Sequence, residues 1–278
     1  MNDINVLKNN GVDLDSSLEF LGDMEMYDET LNEFLNSISE KVNNLKSYKE
    51  ANDMPNYAIC VHSLKSDARY LGFVNLGNMA YQHEMESKAA NAEFVNTHFA
   101  ELINEVARTI NIAKAYLVNN PAPASSTAPV APATPAVPAT PVAPVAQTAP
   151  AAPAKDAILV VDDSDMVRNF ISKIFKNEFD CLLASDGQKA IEILSADNNI
   201  KGVLLDLNMP KVNGFEVLDF LKNNNLFVKY PVSIITGADD KETITRAFTY
   251  QIIDMLQKPF NEKDVKRIIE RTLNYGRR

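Results

Sequence analysis

The chain has 278 residues, 46% hydrophobic and 23% charged, with a formal net charge of −10. That length suits about two domains, and the composition is that of an ordinary globular protein. The acidic balance excludes a nucleic-acid grip, which needs Lys and Arg clustered against phosphates. The charge is uneven: residues 1–118 hold 18 acids and 9 bases, whereas the stretch from Lys155 onward holds 19 and 18.

The N-terminal "MNDINVLKNN" has no apolar run behind a basic start, so no secretory signal is expected. No apolar run approaches the roughly 18 residues of a membrane span, and no membrane partner is expected. The two cysteines, Cys60 and Cys181, fall in different halves among apolar neighbours. They read as buried free thiols in a reducing cytoplasm.

The first half shows helical periods and no strand alternation. "DETLNEFLNSISEKVNNLKSYKEAND" puts Leu31, Leu35, Ile38, Val42 and Leu45 on one stripe. "NYAICVHSLKSDARYLGF" and "VNLGNMAYQHEMESKAAN" continue as helix. "THFAELINEVARTINIAKAYLVNN" carries a last stripe of Ile103, Val106, Ile110 and Ala113. Antiparallel helices with short loops pack as a bundle of the four-helix type, expected over residues 1–118.

Within it, Val61, Leu64, Ala68 and Leu71 fall on one apolar face. His62, Lys65, Ser66 and Arg69 fall on the neighbouring face, which is polar and positive. This placement argues against a core histidine, and no His or Cys at i+4 completes a metal site. A plain surface histidine and a reactive one both remain open. A reactive imidazole would need an exposed nitrogen, a lysine to attract phosphoryl oxygens, and a small neighbour that lets a partner dock. Lys65 and Ser66 fit those demands. His83 reads as a half-buried structural histidine and His98 as a surface one.

Residues 119–155 form an Ala/Pro-rich linker, with ten of the 14 prolines between Pro121 and Ala154. Repeated proline removes backbone donors and fixes φ, so neither helix nor sheet propagates. Such a spacer is semi-rigid and could reach on the order of 100 Å.

Beyond it, over 156–278, the period switches. Short apolar runs ("AILVV", "DCLLAS", "GVLLDL", "VSIIT", "IIDMLQ") alternate with helical stretches. This alternation implies a doubly wound, five-stranded parallel sheet with helices on both faces. The chemistry of such folds sits at the carboxyl ends of the strands. There the sequence places Asp162 and Asp163, then Asp206 followed by "LNMP", then Thr236, then Lys258 and Pro259. Asp162, Asp163 and Ser164 could merely cap the next helix. Taken together, three carboxylates repel and call for a cation, and oxygen ligands suit Mg²⁺. Asp206 would be the nucleophile toward a phosphoryl group, with Lys258 and Thr236 contacting its oxygens.

Residues 156–278 resemble a response-regulator receiver domain through "VVDDS", "LLDLNMP", "SIIT" and "KPF", with Pro210 and Gly214 at four and eight after Asp206. The resemblance implies a flavodoxin-like fold, Asp206 as phosphoacceptor, and Mg²⁺ on Asp163, Asp206 and the Asn208 backbone carbonyl. It implies that Asp162 assists through water, that Thr236 and Lys258 contact the phosphoryl group, and that Lys258–Pro259 is cis. Two departures stand out. Met255 occupies the position where the family carries an aromatic switch residue, and Gln251-Ile252 replaces a common Gly-Ala.

His62-Ser63-Leu64-Lys65-Ser66-Asp67-Ala68 resembles the histidine phosphotransfer (HPt) motif, His-x-Leu-Lys-Gly/Ser-x-Ala. It implies His62 as the phosphorylated histidine, with Glu84 holding one ring nitrogen. The expected protein is a Mg²⁺-dependent phosphorelay carrier that moves phosphoryl groups between His62 and receiver aspartates. It would work with a sensor histidine kinase and other receiver or HPt proteins, and carry no ATP-binding kinase domain of its own. The rival readings are a docking or dimerising module independent of phosphate, and a metal-dependent phosphatase.

Overall fold

The computed structural model describes residues 3–118, 155–196, 199–237 and 241–275. The expected linker lies outside the described residues except at Lys155. The N-terminal region is all helical: α1 (Asn5–Asn9), α2 (Leu14–Leu21), α3 (Met24–Glu50), α4 (Met54–Tyr70), α5 (Val74–Lys88) and α6 (Ala92–Leu117). α4 packs on α3 and α5, and α6 closes the bundle against both of those neighbours.

Local chemistry sets the helix ends. Asp23, Asp53 and Asn91 cap α3, α4 and α6 by accepting from the N–H three residues on. α4 stops at Gly72, whose φ of +73° suits glycine. A Cβ there would also lie 2.3 Å from the Asp13 carbonyl oxygen, so the tight α4–α5 turn requires its absence.

The apolar face of α4 is Val61, Leu64, Ala68 and Leu71, each fully buried. Truncating Leu64 to Ala should cost about 2–5 kcal/mol. The α6 stripe differs from expectation. Ile103 and Ile110 are half-buried, and the core face runs through Leu102, Val106, Thr109, Ala113 and Tyr116. On that face the Tyr116 hydroxyl donates to Asp28 of α3 at 2.7 Å.

The C-terminal region alternates β1 (Ala157–Val161), α7 (Asp165–Phe175), β2 (Asp180–Ala184), α8 (Gly187–Ser195), β3 (Ile200–Asp206), α9 (Gly214–Asn223), β4 (Val232–Thr236), α10 (Lys241–Ala247), β5 (Ile252–Gln257) and α11 (Glu262–Tyr275). All strand pairs are parallel, in the order β2-β1-β3-β4-β5. β1 and β3 are the switch point at which a ligand crevice opens beyond the strand ends. Their five-residue and seven-residue runs are buried almost throughout, as sheets covered on both faces demand.

The two regions are docked. Their apolar cores merge into one cluster that runs from Leu7 and Tyr70 to Phe170 and Phe260. Tyr70 and Phe260 stack edge to face at 5.6 Å, and the Phe260 N–H donates to the Tyr70 hydroxyl at 3.1 Å. At the rim, Lys173 of α7 pairs with Glu29 and lies 3.6 Å from Glu33 of α3.

Candidate functional site

On the sheet side, register builds the site. Val161 lies opposite Leu205, so Asp162 and Asp206 emerge side by side. Gln257 pairs with Thr236, and the Lys258 N–H donates to the Thr236 carbonyl at 2.8 Å, which brings Lys258 to the same edge. Gly214 is needed behind it, because a Cβ there would sit 2.3 Å from the Asp206 carbonyl oxygen. The Lys258–Pro259 bond is cis.

Asp162, Asp163 and Asp206 hold carboxylate oxygens within 4.8 Å of one another. Lys258 Nζ bridges two of them, at 2.7 Å from Asp162 and 2.6 Å from Asp206. Burial works against the Lys258 ammonium, but the charges of Asp162, Asp206 and Asp163 outweigh it and hold its pKa well above the usual range. Burial, reinforced by Asp162 and Asp206, pushes Asp163 up to about 8. One buried Asp163 oxygen has no hydrogen-bond partner. One lysine against three carboxylates therefore leaves negative charge over, and the hard oxygen donors fit a divalent cation such as Mg²⁺. Asn208 contributes its N–H, which donates to Asp206 at 3.0 Å. Of the trio that could have been caps, Ser164 does cap α7, and Asp162 accepts from the Ser164 N–H at 2.9 Å.

On the bundle side, His62 Nδ1 lies 2.7 Å from Glu84 Oε1. Lys65 Nζ and Lys88 Nζ each lie 2.7 Å from the same carboxylate. Burial pushes the Glu84 carboxyl up, but the His62 hydrogen bond and charge, with Lys65 and Lys88, outweigh it and hold the group well below the usual range. Glu84 is thus an anchored carboxylate that fixes the imidazole through Nδ1. His62 Nε2 is buried without a hydrogen-bond partner. Ser66 is buried one turn further along α4.

The expectation of an exposed His62 is corrected. The residue is 3% exposed, because the receiver lies over it. A Cβ on Gly237, just past β4, would come within 2.7 Å of His62 Cε1 and 3.2 Å of Nε2. His62, Lys65, Glu84, Asn208, Thr236 and Gly237 line one cavity of about 230 Å³. The structure therefore brings the two sets of site residues face to face.

His83 is fully buried, with Nδ1 at 2.8 Å from the Tyr57 hydroxyl, and burial lowers its pKa to about 4. His98 stacks on Phe94, half-buried. Cys60 and Cys181 are free and half-buried, and burial pushes the Cys60 thiol up to about 12. Met255 is half-buried against the sheet core. Sequence reasoning read Ser164 only as a cap and missed Asp67 and Tyr70, which with it join the two regions beside the site, and Lys41, which pairs with Asp67.

The family model of the response regulator receiver domain matches residues 158–270, and that of the Hpt domain matches residues 20–111. The two-component response regulator ORR5 of Oryza sativa subsp. japonica is 31% identical over 117 residues, which cover 42% of this chain and 87% of that protein. The chain belongs to the two-component response-regulator family. ORR11 of Oryza sativa subsp. indica is 32% identical over 117 residues, 42% of this chain and 80% of that protein. A receiver domain protein structure from Clostridium thermocellum aligns with a TM-score of 0.41 at 26% identity, over 44% of this chain and 97% of that one. The protein is a two-component phosphorelay protein with an Hpt domain ahead of its receiver. Among the described residues, no helix is long and apolar enough to cross a membrane.

Proposed function

We propose that this chain carries phosphoryl groups reversibly between His62 and Asp206, in the cytoplasm, with the bundle ending near residue 118 and the receiver beginning near 156. The observation that carries this reading is the unpartnered, buried His62 Nε2, beside Gly237 and in one cavity with Thr236 and with Asn208, whose N–H donates to Asp206. With its proton on Nδ1 and donated to Glu84, the imidazole presents a lone pair at Nε2. Transfer inward forms an Nε2–P bond as the bond between phosphorus and the Asp206 carboxylate oxygen breaks. Asp206 leaves as a carboxylate, and the Nδ1 proton stays with His62. The reverse step restores the aspartyl phosphate.

Asp162, Asp163 and Asp206 would hold Mg²⁺, with Asn208 at its edge. When bound, the ion offsets the charge of the phosphoryl oxygens. Lys258 and Thr236 contact those oxygens from the sheet side, and Lys65 reaches toward them from the bundle. With the two domains docked, donor and acceptor would be spared the entropy cost of meeting. A sensor histidine kinase or another receiver would load the chain from outside.

The test supplies a small-molecule phosphodonor with Mg²⁺ and follows the label. Acid-labile label on His62 is expected, absent in His62→Gln and in Asp206→Ala. Acid-labile label that persists in His62→Gln sinks the assignment. A second reading, a docking module indifferent to phosphate, draws on Met255, which packs half-buried where the family carries its aromatic switch. An unchanged shape and partner affinity after beryllofluoride binding would favour it.

A further inference from the structure

Docking brings a fourth carboxylate to the edge of the acidic cluster. Asp67 lies on α4, is 2% exposed, and accepts a hydrogen bond from Ser164 Oγ at 3.0 Å. Ser164 directly follows Asp162 and Asp163. Alone, the Asp67 carboxylate would be repelled by the cluster. Lys41 of α3 counters that repulsion. Its Nζ bonds to the other Asp67 oxygen and donates to Ser63 Oγ at 2.8 Å. Lys41 and Asp163 line the same cleft between the domains.

We propose that Lys41 and Asp67 form the element by which the Hpt domain recognises its own receiver: Asp67 reads the Ser164 hydroxyl, and Lys41 supplies the charge that lets Asp67 sit beside the acidic cluster. The partner is defined by chemistry. It is a receiver with a hydroxyl side chain directly after its acidic pair and a residue after its Lys-Pro that donates a backbone N–H to Tyr70 and stacks on its ring. A receiver without that hydroxyl would leave a buried Asp67 oxygen unsatisfied. This element rests on the His62–Asp206 reading for its purpose, while its own test measures docking alone.

The experiment is small-angle X-ray scattering on the full chain in chelator at low salt, with circular dichroism to confirm that each variant is folded. The wild type and Lys41→Arg are expected to be compact. Lys41→Met should shift the docking equilibrium toward the open form by at least about 30-fold, the usual result of leaving one buried charge unpaired. Lys41→Met/Asp67→Asn should regain compactness, because an amide oxygen still accepts from Ser164 without the charge. Ser164→Ala should open the chain and Ser164→Thr should not. An extended wild type, or Lys41→Met and Ser164→Ala chains as compact as the wild type, or no rescue by the double variant, overturns the proposal. His62→Gln should stay compact while losing phosphohistidine. A compact wild type that never labels His62 removes the transfer reading and leaves the docking element standing.

Discussion

The histidine site and the aspartate site solve opposite problems. His62 needs a free lone pair, and two neighbouring helices of one small bundle provide it: Glu84 takes Nδ1, Lys65 and Lys88 hold Glu84, and Nε2 is left over. Asp206 needs positive charge around it, and four strand ends that are distant in sequence provide too little. A single lysine faces three carboxylates, and Asp163 is pushed up to about 8 by burial and its neighbours. One site is complete in its own side chains, and the other keeps negative charge over that the proposed cation would offset. A chelator should therefore disturb the polar work of the sheet and leave that of the bundle alone.

The largest expected effect is at Lys258. In Lys258→Met, Asp162 and Asp206 lose their common partner, and breaking such a buried contact costs about 3 kcal/mol. In chelator the receiver should melt correspondingly earlier, and millimolar Mg²⁺ should return most of the loss. Labelling of Asp206 should still fall on the order of 10²–10³-fold with Mg²⁺ present, because a preorganised donor to the phosphoryl oxygens is gone. A metal-independent melting deficit would show that Lys258 serves packing and not charge.

Next is Glu84. Glu84→Ala frees the imidazole to turn and to place its proton on either nitrogen, so transfer to His62 should slow on the order of 10²-fold. Asp206 labelling by a small phosphodonor should be unchanged, which separates this variant from Lys258→Met. Equal loss at both sites would erase the contrast between them. Gly237→Ala comes third, at about tenfold in the transfer step alone, since its methyl group would press on His62 Cε1 and move it off the line of attack.

The acidic edge was legible because strand–helix alternation is local, and a residue that ends a parallel strand has its position fixed by the sheet. Asp162, Asp206, Thr236 and Lys258 stand where that rule puts them. The fold of the C-terminal half was legible for the same reason, down to β4 over Val232–Thr236 and β5 over Ile252–Gln257, and that of the bundle from its helical periods. His62 was legible only in part. Helical spacing gives its face relative to Leu64 and Ala68, but no periodicity reports a surface brought in from 175 residues away at Gly237. Its burial was missed on that account. Lys41 and Asp67 were missed too, because their partners Ser63 and Ser164 lie on other elements. The available signal was Asp67 itself, an acid between Lys65 and Arg69 in sequence yet off the face that carries His62.

The smallest effect is a matter of sign, and it sharpens the contrast most cheaply. Burial lowers His83 to about 4 from an unfolded value near 6.5, so the folded bundle favours the neutral ring. That contribution is present above pH 6.5 and is lost as pH falls toward 4. Asp163 runs the other way. Its pKa rises to about 8 from an unfolded value near 3.8, so the metal-free receiver favours the protonated acid. Its contribution is present below pH 3.8 and is lost as pH rises toward 8. Calorimetry in chelator from pH 4 to 8 should show His83→Gln flattening the acid limb and Asp163→Asn the alkaline one. Mg²⁺ should flatten the alkaline limb in the wild type and leave the acid limb alone, because an ion on three carboxylates removes the reason for Asp163 to hold a proton. If Mg²⁺ moved both limbs equally, the bundle and the acidic edge would be one electrostatic unit, and the division between a self-sufficient histidine site and a cation-completed aspartate site would fall.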